Sequence, residues 1–316
     1  MNMKTPSARP KEWRAEVSLA LLLIPDFALI LFGFFLNRFT DWGRNFWGGL
    51  EKLIYFVLFP ALLFNSIAKT KIDFVAAGPA LKTVLATVLI GMALGWLAKW
   101  LLNPDAKIFA SGFQTAFRFN SYIGLAIAGR LHGEVGIAAF GILIGLVVPL
   151  CNIGAVWALA RNSQASLLKE LVQNPLIIAT VSGVLYSVSG LPLPETLNLL
   201  ISRMGAASLA CGLLAVGAAL QLRGAGKNAP LIAYFTSVKL VAMPVAAIVL
   251  ARALDVNGVF FDMVILFAAL PTATSAYVLA VRMGGDGPLV AQAVTISTLA
   301  GMLSIPLWLN YARLLN

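Results

Sequence analysis

Ala269-Leu270-Pro271-Thr272-Ala273-Thr274-Ser275-Ala276-Tyr277 sits in the middle of an apolar run that extends from about 258 to 282. A run of that length crosses the roughly 30 Å hydrocarbon layer of a bilayer as a helix. Its centre nevertheless holds a proline and three hydroxyl side chains, Thr272, Thr274 and Ser275. Proline removes a backbone donor and clashes with the preceding turn, so a break or kink is expected there. In a bilayer, irregular backbone is tolerated only where it is buried in protein or lines a wet cavity. A proline kink alone is commonly just structural, and a site reading needs a second observation.

That observation lies about 152 positions earlier, in the run 107–130. Gln114, Thr115, Arg118, Asn120, Ser121 and Tyr122 cluster at its middle, followed by Gly124. At the offset of 152, Pro271 and Thr272 fall opposite Phe119 and Asn120. Both halves of the chain thus concentrate polar or helix-breaking residues at one depth. Polar groups within spans are costly and mark functional sites by default. Arg118 is about 11 residues from either end of its run, too deep to reach water by snorkelling. It needs a carboxylate, carbonyls or a bound anion, and the structural alternative pairs it with Asp26 or Asp262. Broken helices at this depth would present N-termini whose dipole ends hold a carboxylate.

The rest of the chain supplies the frame. It has 316 residues, 60% of them hydrophobic and 11% charged, and its mean hydropathy of +0.89 is far from that of a soluble domain. Apolar runs at about 18–37, 50–68, 79–102, 107–130, 134–160, 171–189, 196–221, 230–253, 258–282 and 288–312 predict ten transmembrane helices. Alternating strand patterning is absent, which excludes a β-barrel. Arg130-Leu131-His132-Gly133-Glu134 ends span four, and Arg282-Met283-Gly284-Gly285-Asp286 ends span nine. Five spans per copy invert the second copy, so the expected class is an all-α membrane protein of two inverted five-helix repeats with spans four and nine broken. The expected divisions are a polar N-terminal tail (1–17), a first repeat (18–160), a loop (161–170) and a second repeat (171–316). No cleavable leader is expected. Basic residues between spans place both termini on the non-cytoplasmic side.

Composition excludes several chemistries. One histidine (His132) and two cysteines (Cys151, Cys211) cannot build an all-protein zinc or iron–sulfur site, and no metal or cofactor is expected. The formal charge of +10 is scattered singly between apolar runs, which argues for loops at a lipid surface and against nucleic acid. No P-loop is present, and no catalytic constellation points to an enzyme. Further candidates are Asn65 beside the kink expected at Pro60, which faces a cavity or bonds a neighbouring helix. The embedded ions Asp26, Lys82, Lys239 and Asp262 could serve coupling or as counter-ions. The pairs Gly91/Gly95 and Gly141/Gly145 read as packing seams.

Phe56 to Asn65, Phe117-Arg118-Phe119-Asn120-Ser121-Tyr122-Ile123-Gly124, Asn174-Pro175-Leu176 and the stretch from Leu270-Pro271 through Gln292 to Pro306 resemble the auxin efflux carrier family. That family includes plant auxin exporters and bacterial permeases assigned to malonate, malate and related acids. The resemblance covers nearly all of 18–312. It implies a scaffold of spans one, two, six and seven, often a dimer interface, and a transport unit of spans three to five and eight to ten. Broken helices four and nine would cross at the substrate, through Asn120, Ser121, Tyr122 and Gly124 on one side and Pro271 with Thr272 on the other. Many relatives carry a proline just after the glycine of span four. Here the sequence is Gly124-Leu125-Ala126, so the first break would rest on Gly124.

The expected function is a secondary transporter of a small organic anion, a mono- or dicarboxylate, in the inner membrane, working by an elevator or rocking motion. Arg118 and the helix ends would neutralise the carboxylate, and Asn120, Thr272 and Thr274 would orient it. Proton coupling, sodium coupling and uniport stay open, as does a homodimer. The rivals are a sodium symporter of the bile-acid carrier type and a non-transporting acid sensor.

Overall fold

The computed structural model describes residues 12–70, 74–159, 175–221 and 226–315. The expected loop 161–170, the start of span six with Asn174, and most of the tail 1–17 lie outside the described residues. The described residues are helical with no strand. Seven helices among them are long and apolar enough to cross a membrane, and two shorter apolar ones, Pro175–Ser189 and Gly258–Ala269, accompany them. The all-α membrane class is borne out.

Helix α1 (Glu12–Phe39) is followed by α2 (Gly43–Leu53), which continues through a π-helical turn into α3 (Phe59–Lys69). Next come α4 (Phe74–Leu101), α5 (Ala106–Phe113) and α6 (Ser121–Leu159). The second part holds α7 (Pro175–Ser189), α8 (Glu195–Ala218), α9 (Ala229–Ser237) and α10 (Met243–Ala253). It ends with α11 (Gly258–Ala269), α12 (Ser275–Arg282) and α13 (Gly287–Leu315).

Helix α6 is two helices back to back. Its backbone leaves the helical region at His132 and Gly133, with Gly133 at φ 58°. Gly124 then lies against the Phe140 ring and Gly129 against Ile137, so the chain reverses at the glycine. Residues without a Cβ adopt positive φ at little cost, which suits glycine to this reversal.

The π-helical turns have a local cause. Ile54–Leu58 precedes Pro60 and Val238–Ala242 precedes Pro244. Proline offers no N–H to the carbonyl four residues back, and a wider turn absorbs the mismatch. The Leu240 carbonyl, four residues before Pro244, accepts instead from the Trp308 indole N–H at 2.7 Å.

Two groups of helices emerge from the packing. Helices α1, α3, α7 and α8 pack chiefly on one another, while α11 is surrounded by α4, α6, α10 and α13. Lipid tails are as apolar as leucine, so association rests on close packing rather than on hydrophobic transfer. Glycines accordingly mark the seams. Gly33 faces the Leu214 carbonyl and Gly217 faces the Ile30 carbonyl, which brings the α1 and α8 backbones together. Gly91 packs on Met243 and Gly141 on Leu63. Leu185, Val188 and Leu303 point outward, as lipid-facing side chains must.

Candidate functional site

Two interruptions in the helices meet inside the second group. Helix α5 runs into a 3-10 turn, Gln114–Ala116, and the chain then leaves helical structure until α6 begins at Ser121. Helix α11 stops at Ala269, and Leu270 with Pro271 continues outside helical structure until α12. The Asn120 N–H donates to the Pro271 carbonyl at 2.9 Å, and the Thr272 hydroxyl donates to the Thr115 carbonyl at 2.8 Å. The Gln114 side-chain amide donates to the Ala276 carbonyl at 3.2 Å. Each break therefore satisfies backbone groups that the other exposes, which is the condition for irregular backbone at membrane depth.

The first break does not depend on Gly124. That glycine lies inside α6, buried against Phe140 and Leu270, and the interruption falls upstream at 117–120. Asn120 starts the second half-helix: its Oδ1 accepts from the Tyr122 N–H at 3.0 Å and the Ile123 N–H at 3.3 Å. Asn is among the best N-caps, so Asn120-Ser121 before an apolar run does the work that proline does in the other break.

That cap fixes the rest of the side chain. With Oδ1 turned to two backbone donors, Nδ2 must point the other way, and it is a buried donor without a partner. Beside it is a cavity of about 170 Å³ whose walls include Arg118, Asn120, Ser121, Tyr122, Thr274 and Ser275. Phe119, Val148, Cys151, Asn152 and Ala273 complete the wall on this side, and Tyr55 and Leu176 close it from the α3–α7 group. Arg118 is held from two sides, donating to Gln114 Oε1 at 3.3 Å and to Ser275 Oγ at 2.9 Å. The N-terminus of α6 opens on this wall, and so does that of α12, so two positive dipole ends and one guanidinium share a single small space. The lining contains no carboxylate.

The chain is similar to proteins named as transporters. The family profile described as "Membrane transport protein" matches residues 158–309. Over 90% of the chain and 92% of its own length, a protein of Rhizobium meliloti named "Putative malonate transporter" is 25% identical. The Escherichia coli protein named "Uncharacterized transporter YfdV" is 23% identical over 93% of the chain and 98% of its own length. A Methanothermobacter thermautotrophicus protein named "Uncharacterized transporter" is 21% identical over 89% and 94% respectively. The chain is similar to membrane transporters: the profile covers its second half and the relatives named as transporters cover about nine-tenths of it. The resemblance to auxin efflux carriers drawn from its sequence is borne out.

The expected site residues divide. Arg118, Asn120, Ser121, Tyr122, Thr274 and Ser275 line the cavity. Pro271 and Thr272 are buried and brace the two breaks through the Asn120 N–H and the Thr115 carbonyl, while Gly124 packs against Phe140 and Leu270 inside α6. Asn65 is elsewhere: its Nδ2 donates to Ser202 Oγ at 3.2 Å. The proposed structural partners of Arg118 are engaged otherwise. Asp26 pairs with Arg130 at 3.3 Å, and Asp262 bonds His132 at 2.7 Å and Arg313 at 3.4 Å. Lys82 is exposed on α4, whereas Lys239 is wholly buried and donates to the Ala268 carbonyl at 2.9 Å. Asn152, a polar residue inside the run 134–160, was findable by the rule that singled out Arg118. Tyr55 carries no such signal, because the π-helical turn that precedes Pro60 aims it at the cavity.

Proposed function

We propose that the protein is a secondary transporter of a small organic anion whose carboxylate sits between the two broken helices. One observation carries this reading: Arg118, Asn120 and the first residues of α6 and α12 line one cavity, and Asn120 Nδ2 is a buried donor without a partner among the described residues. A buried donor left unmade costs about 1–3 kcal/mol, so its retention beside a cationic cavity makes sense where a ligand supplies the acceptor. The relative named for malonate supports a carboxylate, as do the auxin efflux carriers.

The reading includes ten spans in two inverted five-helix repeats. The breaks at 117–120 and 270–274 fall close to the offset of 152, and the glycines that turn the chain after them, Gly133 and Gly284, both have positive φ. Tyr55 and Leu176 reach the cavity from one helix group and every other wall residue comes from the other. Sliding or rocking of the second group against the first then carries the anion from one face to the other. Family and relatives being transporters supports passage without a covalent step. The reading includes an inner-membrane location, and the basic residues between spans support termini outside the cytoplasm.

Purified protein in liposomes tests this. Arg118→Ala is expected to insert and fold normally, yet to abolish uptake of the small carboxylates that raise the wild-type melting temperature. Uptake at the wild-type rate would refute the assignment.

A further inference from the structure

The cavity does not use Lys239, although it is the deepest cation in the described structure. It lies in the π-helical turn Val238–Ala242, near the middle of the apolar stretch Ala229–Ala253, with 0% exposure. Among the described residues, no carboxylate lies within ion-pair distance of it. Its Nζ donates to the Ala268 carbonyl at 2.9 Å and stands 5.8 Å from the centre of the Phe267 ring.

Ala268 is the decisive partner. In a continuous helix its carbonyl would accept from the N–H of Thr272, four residues on. Here Pro271 breaks the ladder, and the Thr272 N–H donates to Ser297 Oγ at 3.2 Å. The last turn of α11 is thus left with open carbonyls and the negative end of its dipole inside the membrane. In transporters with broken helices such ends hold a sodium ion or a proton site. In this protein the end is already occupied by the covalently attached amino group of Lys239.

We infer that Lys239 permanently takes the position of a coupling cation at the α11 C-terminus, so that anion movement is independent of sodium. The inference rests on the transport reading for its flux measurement but not for its stability measurement. A lysine on a packed helix travels with the crossing helices and does not dissociate at either face. It supplies the donor that the open Ala268 carbonyl requires without tying each cycle to an external cation. The same feature separates this protein from a sodium symporter built on a similar arrangement of helices.

The test compares wild type and Lys239→Ala in sodium chloride, methylammonium chloride and choline chloride of equal strength. Two readouts are used, uptake of a stabilising carboxylate into liposomes and melting temperature in detergent. Wild type is expected to transport at one rate and melt at one temperature in all three salts. Lys239→Ala is expected to lose at least about tenfold of its uptake in choline. Sodium or methylammonium, entering the space that the side chain leaves, should restore part of that uptake. Either cation should also raise the variant's melting temperature, as ligands of the folded form do. Wild-type uptake or melting that responds to sodium over choline overturns the inference. So does a folded Lys239→Ala that matches wild type in choline, or one that answers to neither cation. Should the variant fail to fold, the wild-type comparison decides alone. If no acid is transported by any form, the melting data still decide the role of Lys239, and only the transport reading falls.

Discussion

Replacing Asn120 with Ser separates two jobs that one amide performs. The Oδ1 caps α6 through the Tyr122 and Ile123 N–H groups, and Nδ2 is held, buried and without a partner, beside the cavity. Serine caps a helix about as well as asparagine, but it has no second arm. In the empty protein Asn120→Ser removes a stranded donor whose desolvation costs about 1–3 kcal/mol. Loss of packing around the missing atoms takes back roughly 1 kcal/mol of that. The empty variant should therefore melt at the wild-type temperature or slightly above it. Binding moves the other way. A hydrogen bond to a charged acceptor contributes about 1.5–3 kcal/mol, so the carboxylate should bind roughly ten- to a hundredfold more weakly. Asn120→Ala should show the same loss of affinity and an additional stability loss of about 1 kcal/mol from the missing cap. Melting curves of all three proteins, with and without a saturating series of carboxylate, give both numbers. The reasoning is refuted if Asn120→Ser destabilises the empty protein as much as Asn120→Ala while leaving ligand affinity unchanged.

Two further substitutions probe the frame around the cavity. Thr272→Val keeps the shape but deletes the hydroxyl bonded to the Thr115 carbonyl at 2.8 Å. A loss of about 0.6–1.7 kcal/mol is expected for an interhelical bond of this kind, and an unmoved unfolding midpoint would show that the breaks do not lean on it. Gly217→Ala would drive a methyl into the Ile30 carbonyl of α1, backbone that cannot swing aside. Overpacking of this sort costs about 1–3 kcal/mol, so the midpoint should fall by that much, while equal stability would mean that α1 and α8 are not clamped there.

The ionic contacts show how one short segment ties the molecule together. Arg130 bonds Asp26 of α1, His132 bonds Asp262 of α11, and Glu134 lies 3.7 Å from Lys69 of α3. Arg130, His132 and Glu134 flank Gly133, where the two halves of α6 reverse. Their sequence marks a span boundary, and their partners come from both helix groups, so the turn is also a point of attachment between them.

Bilayer chemistry made much of this protein legible in one dimension. A span must be about 20 apolar residues and must satisfy its own backbone, so Pro271 and the polar cluster around Arg118 announced broken helices without reference to any neighbour. Asn120-Ser121 likewise carries its own helix-start signal. The tertiary structure decided what long side chains and small residues do with distant partners. It engaged Asp26 and Asp262 away from Arg118, drew Asn65 to Ser202, and turned Gly124 from a hinge into a packing position. It also brought Tyr55 to the cavity and set Lys239 against the open end of α11. The physical reason is one of range. Hydropathy and helix termination act within a few residues of chain, whereas ion pairs and cavity walls join helices that lie a hundred or more positions apart.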